Sequence, residues 1–551
     1  MKAHDPLATI KTRQTPQTPQ TVPARADQVR NNAGGYVFSI DDATRLRRFL
    51  TLGVDAGTYY VTEQELTASN AEFLLKLVAT NPHLVVDEVV AISTGGRAPR
   101  QNPALFALAA VAGMGDDDGR TYALSQLSRV ARTGTHLALF AKYVQQFRGW
   151  GRGLRRGVAN WYLDKTPDAL AYQVLKYRSR EGWTHRDLLR KAHPQTDDAE
   201  KAHLFDYIAH GTNDTTGLPD LVAAFEEAKT ASTPRLIELI ARYPLSWEML
   251  PNEALDSPLI WEALIDQGMP ITALIRQLPR LTRLGVLTGA RLLGVANQIS
   301  DPARLQKGRV HPISVLIAQK TYTAGHGARG SGTWQPISQI GDALDAGFYA
   351  AFAAVEPTGL RTLLALDVSG SMTALIGGLP LSAREASAAL ALVTARTEPD
   401  HVVIGFTDTG SGTLFGDANH QGATAVSRLD ISPRRRLDDV IKAVSSLRFY
   451  GTDCALPMLW AAKYKVDVDT FVIYTDNETW AGYIHPFEAL RAYRDQAGIA
   501  AKLVVVGMTA TEFSIADPND AGMLDVAGFD AAVPTVIADF AREPLTLGVP
   551  Q

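Results

Sequence analysis

The sequence predicts an α-helical solenoid of HEAT-like type followed by a doubly wound α/β domain. Two patterns lead to this prediction. Apolar residues recur with helical spacing through residues 39–354, in segments separated by Pro and Gly. Beyond residue 359, short continuous apolar runs alternate with helical segments, which is typical of a mostly parallel sheet. Charge divides at nearly the same place, because residues 1–350 hold 39 Lys and Arg against 34 Asp and Glu, whereas residues 351–551 hold 15 against 24.

The composition sets the class of protein. The chain has 551 residues, is 46% hydrophobic and 20% charged, and carries a net charge of −4, which excludes wholesale disorder and a uniformly basic nucleic-acid binder. The single cysteine, Cys454, excludes an intrachain disulfide and a Cys-based zinc site and fits a reducing compartment. No apolar run approaches the roughly 18–20 residues that span a bilayer, and the first 30 residues lack a signal-peptide core. We therefore expect a cytoplasmic protein with no membrane partner.

Residues 1–35 are rich in Thr, Gln and Pro, as in the run RQTPQTPQT. This composition is too polar to bury a core, so we predict a flexible N-terminal arm. The alternative is an arm that is pinned across another domain.

Residues 36–358 are predicted to form the helical domain. Asn70 is the expected N-cap of a helix whose apolar stripe contains Phe73, Leu74, Leu77 and Val78. The segments that start at Ser232 and Ser257 repeat the theme of a polar cap followed by Pro. Because the sequence repeat is degenerate, an irregular helical domain is the competing interpretation.

Residues 359–551 are predicted to form the α/β domain. Buried strands are expected in RTLLALD (361–367), HVVIGF (401–406), TFVIYTD (470–476) and KLVVVGM (502–508). Helical segments such as the one that follows Ser382 lie between them.

The strand ends carry oxygen-bearing side chains. Asp367, Ser369 and Ser371 lie on one tight loop directly after a strand, Thr452 follows a later loop, and Asp476 closes the next buried strand. Ligands bind at the carboxyl ends of the strands in open α/β sheets. Hydroxyls and carboxylates are hard ligands, so the set predicts a site for Mg²⁺, with Mn²⁺ or Ca²⁺ as alternatives, rather than for zinc. The competing interpretation is a Ser-rich turn with Asp as a helix cap.

Basic residues concentrate between residues 148 and 191, where eleven Lys and Arg stand against four Asp and Glu. The cations are Arg148, Arg152, Arg155, Arg156, Lys165, Lys176, Arg178, Arg180, Arg186, Arg190 and Lys191. Aromatic residues are interleaved with them, and we expect Trp150 and Trp161 to belong to the core. Cations bind phosphates and exposed aromatic rings stack on unpaired bases, so the stretch indicates RNA binding. The alternative is a solvated helix face over a tryptophan core.

Several long motifs resemble a known family. The segments YVFSIDDATRLRRFL (36–50), WGRGLRRGVANWY (150–162), KYRSREGWTHRDLLR (176–190) and HPISVLIAQKTYTAGHGARG (311–330) are similar to the TROVE module. DVSGSM, GTDCALPM (451–458) and YTDNETW (474–480) are similar to the metal-ion-dependent adhesion site of von Willebrand factor A domains. Together they resemble the family of the Ro autoantigen and its bacterial orthologue Rsr, over nearly the whole chain.

The resemblance implies a monomeric ring of HEAT-like repeats closed by the α/β domain. It implies that Y RNA binds the outer surface and that single-stranded 3′ ends of misfolded RNA enter the central hole. It implies roles in RNA quality control, RNA decay and rRNA maturation, and in bacteria a link through Y RNA to polynucleotide phosphorylase. Metal-ligand roles carry over to Asp367, Ser369, Ser371, Thr452 and Asp476. The family usually has Gly where this chain has Tyr450, and a side chain there restricts the positive-φ conformations that Gly allows in the loop that carries Thr452.

The RNA contacts carry over to individual positions. The positions that bind Y RNA in the family correspond to Lys176, Arg180 and His193. The neighbouring Arg178, Arg186 and Arg190 are further candidates for RNA contacts. The candidates for residues that line the central hole and contact single-stranded RNA there are Arg276, Arg280 and Arg329. We predict RNA binding without catalysis, since the hydroxyl-rich metal site lacks the clustered carboxylates of a two-metal nuclease. The alternative is a protein-interaction or adhesion module that acts through the metal site.

Overall fold

A computed structural model describes residues 17–53, 63–211, 214–327, 332–352, 355–376, 380–408, 425–429, 431–432, 435–446 and 451–545. Within these ranges the helices of the N-terminal part are α1 Asp42–Leu52, α2 Glu63–Thr80, α3 Pro82–Gly95, α4 Asn102–Met114, α5 Asp117–Ser125, α6 Leu127–Val130, α7 Gly134–Phe147, α8 Arg152–Leu163, α9 Pro167–Lys176, α10 His185–Ala192, α11 Ala199–His210, α12 Asp220–Ala228, α13 Thr233–Arg242, α14 Pro258–Asp266, α15 Ile271–Arg283, α16 Gly289–Ser300, α17 Pro302–Lys307, α18 Pro312–Ala324 and α19 Ser338–Ala350. Those of the C-terminal part are α20 Ala383–Thr397, α21 Leu437–Ser445, α22 Leu456–Tyr464, α23 Pro486–Ala497 and α24 Val533–Arg542. The strands are β1 Gln28–Arg30, β2 Tyr36–Ser39, β3 Ser179–Arg180, β4 Trp183–Thr184, β5 Thr362–Asp367, β6 His401–Phe406, β7 Val426–Arg428, β8 Thr470–Thr475, β9 Lys502–Gly507, β10 Phe513–Ser514 and β11 Met523–Ala527.

The helical N-terminal part is confirmed. Ser232 and Ser257 precede α13 and α14, and each helix has Pro in its first turn, as the sequence predicts. The stripe of Phe73, Leu74, Leu77 and Val78 is buried.

The prediction that Asn70 caps a helix is wrong. The polar segment 63–69 extends α2 towards its N-terminus, so Asn70 lies inside the helix. Its side chain is buried, and its Nδ2 donates to the carbonyl of Ala510, 3.3 Å away. A polar residue that looks like a helix start therefore makes a contact between the two parts of the chain.

The helical domain closes on itself between the turn after α3 and the start of α18. The ring nitrogen Nε2 of His311 lies 2.9 Å from the carbonyl oxygens of Arg97 and of Phe529, and its Nδ1 accepts from the backbone N–H of Ile313 at 3.1 Å. These partners require the neutral tautomer with the proton on Nε2. Burial lowers the pKa of His311 to about 4, so the neutral form is present at physiological pH. Arg97 also pairs with Asp530 of the C-terminal part.

The C-terminal part is a six-stranded mixed sheet in the order β11-β9-β8-β5-β6-β7. The strands β11, β9, β8, β5 and β6 are parallel, and β7 is antiparallel at one edge. The four predicted strands are β5, β6, β8 and β9. Their continuous apolar character arises because both faces of the sheet are covered, and the prediction of a doubly wound α/β fold is confirmed.

Alternate side chains of the strands belong to two different hydrophobic cores. Leu364 and Leu366 of β5 belong to a core that is continuous with the helical domain and includes α20. Leu363 and Ala365 belong to a second core, built with α22, α23 and β2. Successive side chains of a strand point to opposite faces of the sheet, so one face packs against the helical domain and the other face packs against the second core. Polar contacts such as the pair between Lys320 and Glu385 lie at this junction.

The prediction of a flexible arm is wrong for residues 17–35, and residues 1–16 lie outside the described part. Strand β1 pairs with β2, which in turn pairs with β10 of the C-terminal part. Gln20 is completely buried, and Phe38 packs edge-on against Phe487. The arm is pinned because its amide and hydroxyl groups find hydrogen-bond partners on the C-terminal domain, which composition does not reveal.

Candidate metal centre and nucleic-acid interface

The loop after β5 gathers three of the predicted metal ligands. Asp367 is the last residue of β5, and its Oδ1 accepts from the backbone N–H of Ser369 at 2.9 Å. The hydroxyl oxygens of Ser369 and Ser371 lie 2.9 Å apart, within a short 3-10 turn. All three side chains are buried. The tight turn therefore presents one carboxylate and two hydroxyls at the carboxyl end of the sheet.

The neighbouring strand β8 brings in a second carboxylate. Thr475, its last residue, donates its hydroxyl to Oδ2 of Asp367 at 2.7 Å and so ties the two strand ends together. Asp476 follows and is fully buried beside Asp367. Burial raises the pKa of Asp367, and burial together with the negative charge of Asp367 raises that of Asp476 well above its ordinary value. The sequence does not predict this role of Thr475, whose hydroxyl orients the carboxylate of Asp367.

Thr452 lies on the loop that precedes α22. Its carbonyl accepts from the backbone N–H groups of Trp480 and Ala481, at 3.1 and 3.0 Å, in the segment that follows Asp476. Gly451 is needed beside it, because a Cβ there would lie 2.6 Å from Oδ2 of Asp408. Tyr450, the departure from the family pattern, lies outside the described residues.

Two buried oxygens at this site have no hydrogen-bond partner among the residues that the structure describes. Oγ1 of Thr452 and Oδ2 of Asp476 are solvent-shielded and accept no hydrogen bond in the described structure. A cation between the strand ends would give both oxygens a partner. The five predicted residues therefore fit a cation that supplies positive charge to buried oxygen ligands.

The electrostatics also fit a cation. The buried guanidinium of Arg384 donates to the carbonyl of Ser369 at 2.9 Å and lies near Asp367. Asp476 is buried beside two other carboxylates, those of Asp367 and Glu478, and burial and these charges raise its pKa. In the described residues no three His, Cys, Asp or Glu side chains are placed to hold a metal by themselves, so an ion at this site needs the hydroxyl ligands. Such a set suits Mg²⁺ or Mn²⁺.

The basic stretch folds into α8, α9, the β3–β4 hairpin and α10. Its apolar residues face inwards: Trp161 and Tyr162 are fully buried, and the Tyr162 hydroxyl lies 2.8 Å from Nδ1 of His185. Trp161 is a core residue, as predicted. Trp150 is half-buried and packs on Trp183 with ring centroids 5.6 Å apart. Nine of the eleven cations are left on the outside of this core, whereas Lys165 is half-buried and Lys176 is buried.

Most of these cations are exposed and form no salt bridge within the described part of the chain. The exposed ones are Arg148, Arg152, Arg155, Arg156, Arg178, Arg180, Arg186, Arg190 and Lys191. None of the nine lies within 4.0 Å of a carboxylate oxygen among the described residues, whereas exposed arginines elsewhere, such as Arg235 and Arg542, are paired. Unpaired surface cations at this density create a positive potential that attracts polyanions.

Three of the predicted RNA contacts differ in their surroundings. Arg180, in β3, and His193, the left-handed cap that ends α10, are exposed. Lys176 is only 9% exposed. Its Nζ lies 3.2 Å from the hydroxyl of Tyr172 and 3.8 Å from a carboxylate oxygen of Glu248. Lys176 is therefore held between α9 and residues 247–249, which follow α13 in the chain.

The candidates for the hole lie mainly on α15. Arg276 is exposed, and Arg280 is half-buried with its guanidinium 5.6 Å from the centre of the Trp261 ring. Their spacing of four places them on one face of the helix. Arg329 lies outside the described residues. No helix in the described part of the chain has the length and apolar character that crossing a membrane requires.

Comparisons with known proteins agree with this architecture. A family model described as the TROVE domain matches residues 29–243 and 239–321, and one described as the Ro60 vWA domain matches residues 361–541. The chain is 43% identical over 524 residues to the RNA-binding protein RO60 of Deinococcus radiodurans, covering 94% of this chain and 95% of the relative. It is 36% identical over 593 residues to the protein of the same name from Caenorhabditis elegans, covering 93% and 90%.

A solved structure extends the likeness to three dimensions. The crystal structure of the Deinococcus radiodurans Ro (Rsr) protein matches with a TM-score of 0.67 and 42% identity, over 91% of this chain and 99% of that one. The similarity covers both parts of the molecule. The chain therefore belongs to the Ro60 family, in which a TROVE domain is followed by a von Willebrand factor A domain.

Proposed function

We propose that this chain is an RNA-binding protein whose principal contact surface is formed by α8, the β3–β4 hairpin and α10. The observation that carries the proposal is the set of nine exposed cations that lack ionic partners in the described structure. The relatives named RNA-binding protein RO60 support it. Arg180, Arg186, Arg190 and His193 would contact the RNA, whereas the buried Lys176 would hold the surface in place.

The finer proposal follows the family. Y RNA would bind this outer surface, and single-stranded 3′ ends of misfolded RNA would enter the ring near Arg276 and Arg280. The protein would act as a monomer in the cytoplasm, in RNA quality control, decay and rRNA maturation, and in a bacterial cell would reach polynucleotide phosphorylase through Y RNA. It would not cleave RNA itself, and incubating RNA with the protein and Mg²⁺ would test that point directly.

Binding through phosphate contacts is expected to depend steeply on salt. Each neutralised phosphate releases counterions, so six or more contacts should weaken binding about 10³-fold or more between 50 and 200 mM salt. Filter binding of a structured, Y-like RNA across that range measures the slope. An affinity that stays flat with salt would contradict the assignment of this surface, because stacking and base-edge contacts alone release few ions.

We further propose a divalent cation, Mg²⁺ in the cell, at Asp367, Ser369, Ser371, Thr452 and Asp476. The ion would supply the positive charge that the two buried carboxylates lack, and it would leave a coordination position for an acidic partner group. Asp367→Ala is expected to abolish binding of Mn²⁺, used as a paramagnetic probe and followed by the loss of the free-ion signal. Asp469→Ala, which removes a carboxylate at the opposite end of β8, is the control. Equal Mn²⁺ binding by the wild-type protein and Asp367→Ala would refute the site.

A second candidate function is docking of a protein partner at this ion. Leu375 and Tyr483, 53% and 69% exposed, lie in the loops that follow Ser371 and Asp476, and exposed large apolar side chains often mark interaction surfaces. Asp367→Ala separates the two roles. If Asp367→Ala still binds RNA but no longer binds a protein partner, the ion serves protein docking. If Asp367→Ala no longer binds RNA, the ion belongs to the RNA interface.

A further inference from the structure

The arm reaches the metal centre through one fully buried side chain. Nε2 of Gln20 donates to Oδ1 of Asp453 at 2.7 Å and to the carbonyl of Ile484 at 2.9 Å. Its Oε1 accepts from the hydroxyl of Thr479 at 2.6 Å and from the backbone N–H of Gly482 at 3.3 Å. The Gln20 amide thus connects the loop that contains Thr452 with the segment that follows Asp476.

The backbone of the arm adds to this connection. The N–H of Gln20 donates to the carbonyl of Gly482 at 2.9 Å, and its carbonyl accepts from Tyr36 at 2.8 Å. Glycine is required at residue 482, because a Cβ there would lie 2.3 Å from Nε2 of Gln20. At Gly35 a Cβ would lie 1.8 Å from the carbonyl oxygen of Thr479. The two backbones approach as closely as glycine permits.

A second group of contacts holds the residues directly after Asp476. Nδ2 of Asn31 donates to the carbonyls of Asn477 and Thr479, at 3.3 and 2.8 Å. Nδ2 of Asn32 donates to Oε1 of Glu478 at 2.7 Å, and the N–H of Ala33 donates to the other oxygen at 3.0 Å. The arm therefore binds every residue of the segment 477–479.

Residues 479–481 hold the backbone around Thr452. The carbonyl of Thr452 is bound by the N–H groups of residues 480 and 481, and the N–H of Cys454 donates to Oγ1 of Thr479 at 3.0 Å. The position of Thr452 therefore depends on a stretch of chain that Gln20 holds at Thr479 and at Gly482. Asp476 directly precedes the segment 477–479, so its carboxylate depends on the contacts that the arm makes there.

We propose that residues 18–35 are a structural component of the metal centre, and that Gln20 is a positioning residue that sets Thr452 and Asp476 for the ion. The inference rests on the proposed metal site. Since binding coupling is reciprocal, docking of the arm strengthens ion binding and the ion strengthens docking of the arm by the same factor. Residues that orient metal ligands typically change affinity by about 10–100-fold.

The first test compares two glutamines of the arm. Gln20→Ala is expected to weaken Mn²⁺ binding at least about 10-fold, with Mn²⁺ alone as the probe and the free-ion signal as the readout. Gln28→Ala is the matched control, since its amide bonds to Ala24, Arg25, Tyr36 and the His485 ring and, among the described residues, to none of 452–453 or 476–482. It should leave the affinity within about twofold. Equal affinities for the wild-type protein and Gln20→Ala would overturn the inference.

The second test uses the wild-type chain, so it does not depend on whether a variant folds. Saturating Mg²⁺ should slow hydrogen exchange at the N–H groups of Gln20 and Tyr36, and should not slow it in Asp367→Ala. Unchanged exchange in the wild-type protein would also overturn the coupling. The proposed metal site fails separately, if the wild-type protein and Asp367→Ala bind Mn²⁺ alike. If Mn²⁺ binding depends on Asp367 but not on Gln20, the metal site stands and only the role of the arm is refuted.

Discussion

Changing Arg180, Arg186, Arg190 and Lys191 together to Gln is expected to weaken RNA binding by about two orders of magnitude near physiological salt. Each of these side chains is exposed and has no ionic partner among the described residues, so each is available to a phosphate. The slope of log affinity against log salt should become shallower by about one for each phosphate contact that is lost. Filter binding at several salt concentrations measures both quantities.

A control with the same change in net charge separates local contacts from overall charge. Arg235 and Arg542 are exposed and Arg120 and Arg361 are half-buried, and each of the four is paired with a carboxylate. Their joint change to Gln should alter the affinity only a fewfold, and circular dichroism should show both proteins folded. An equal loss of affinity in the two proteins would mean that the long-range field, rather than this surface, attracts the RNA.

The sequence predicts the centre of the sheet well and its edges poorly. Strands β5, β6, β8 and β9 are covered on both faces, so they read as continuous apolar runs. Strand β7 has three residues and β11 has half-exposed positions, which leaves no such signal. Ligands at strand ends are predictable for a related reason, since Asp367 and Asp476 follow apolar runs directly.

Contacts between distant segments are what the sequence conceals. Gln20 lies in a polar, Pro-rich segment that is typical of flexible chains, yet it is buried by partners more than 430 residues away. Lys176 belongs to a basic run, yet Tyr172 and Glu248 enclose it. Arg384 has the pattern of an ordinary helical cation, yet it lies under the metal loop. In each case burial depends on hydrogen-bond partners rather than on hydropathy.

The buried guanidinium of Arg48 joins α1 to the sheet, and its loss is expected to have the largest effect on stability. Its side chain is 0% exposed, and Nη1 donates to the carbonyls of Thr511 and Phe513 at 3.0 and 2.9 Å. Nη2 pairs with Asp525. The pKa of Asp525 is raised, because the effect of burial exceeds the opposing effect of the positive charge of Arg48. Arg48→Ala should cost about 3–5 kcal/mol, because it leaves that carboxylate buried without its partner.

The adjacent Arg47 provides the control on the same helix. Its side chain is 44% exposed and pairs with Glu88, so Arg47→Ala should cost at most about 1 kcal/mol in urea unfolding. The pH dependence identifies the cause. Without Arg48 the pKa of Asp525 rises further, so protonation below neutral pH relieves the buried charge, and the deficit of Arg48→Ala should shrink as the pH falls from 7 towards 4. Adding Asp525→Asn should recover part of the loss at pH 7. If the loss of stability in Arg48→Ala stays constant with pH and is not reduced by Asp525→Asn, Arg48 acts through packing. The proposal that an ion pair joins α1 to the sheet would then be refuted.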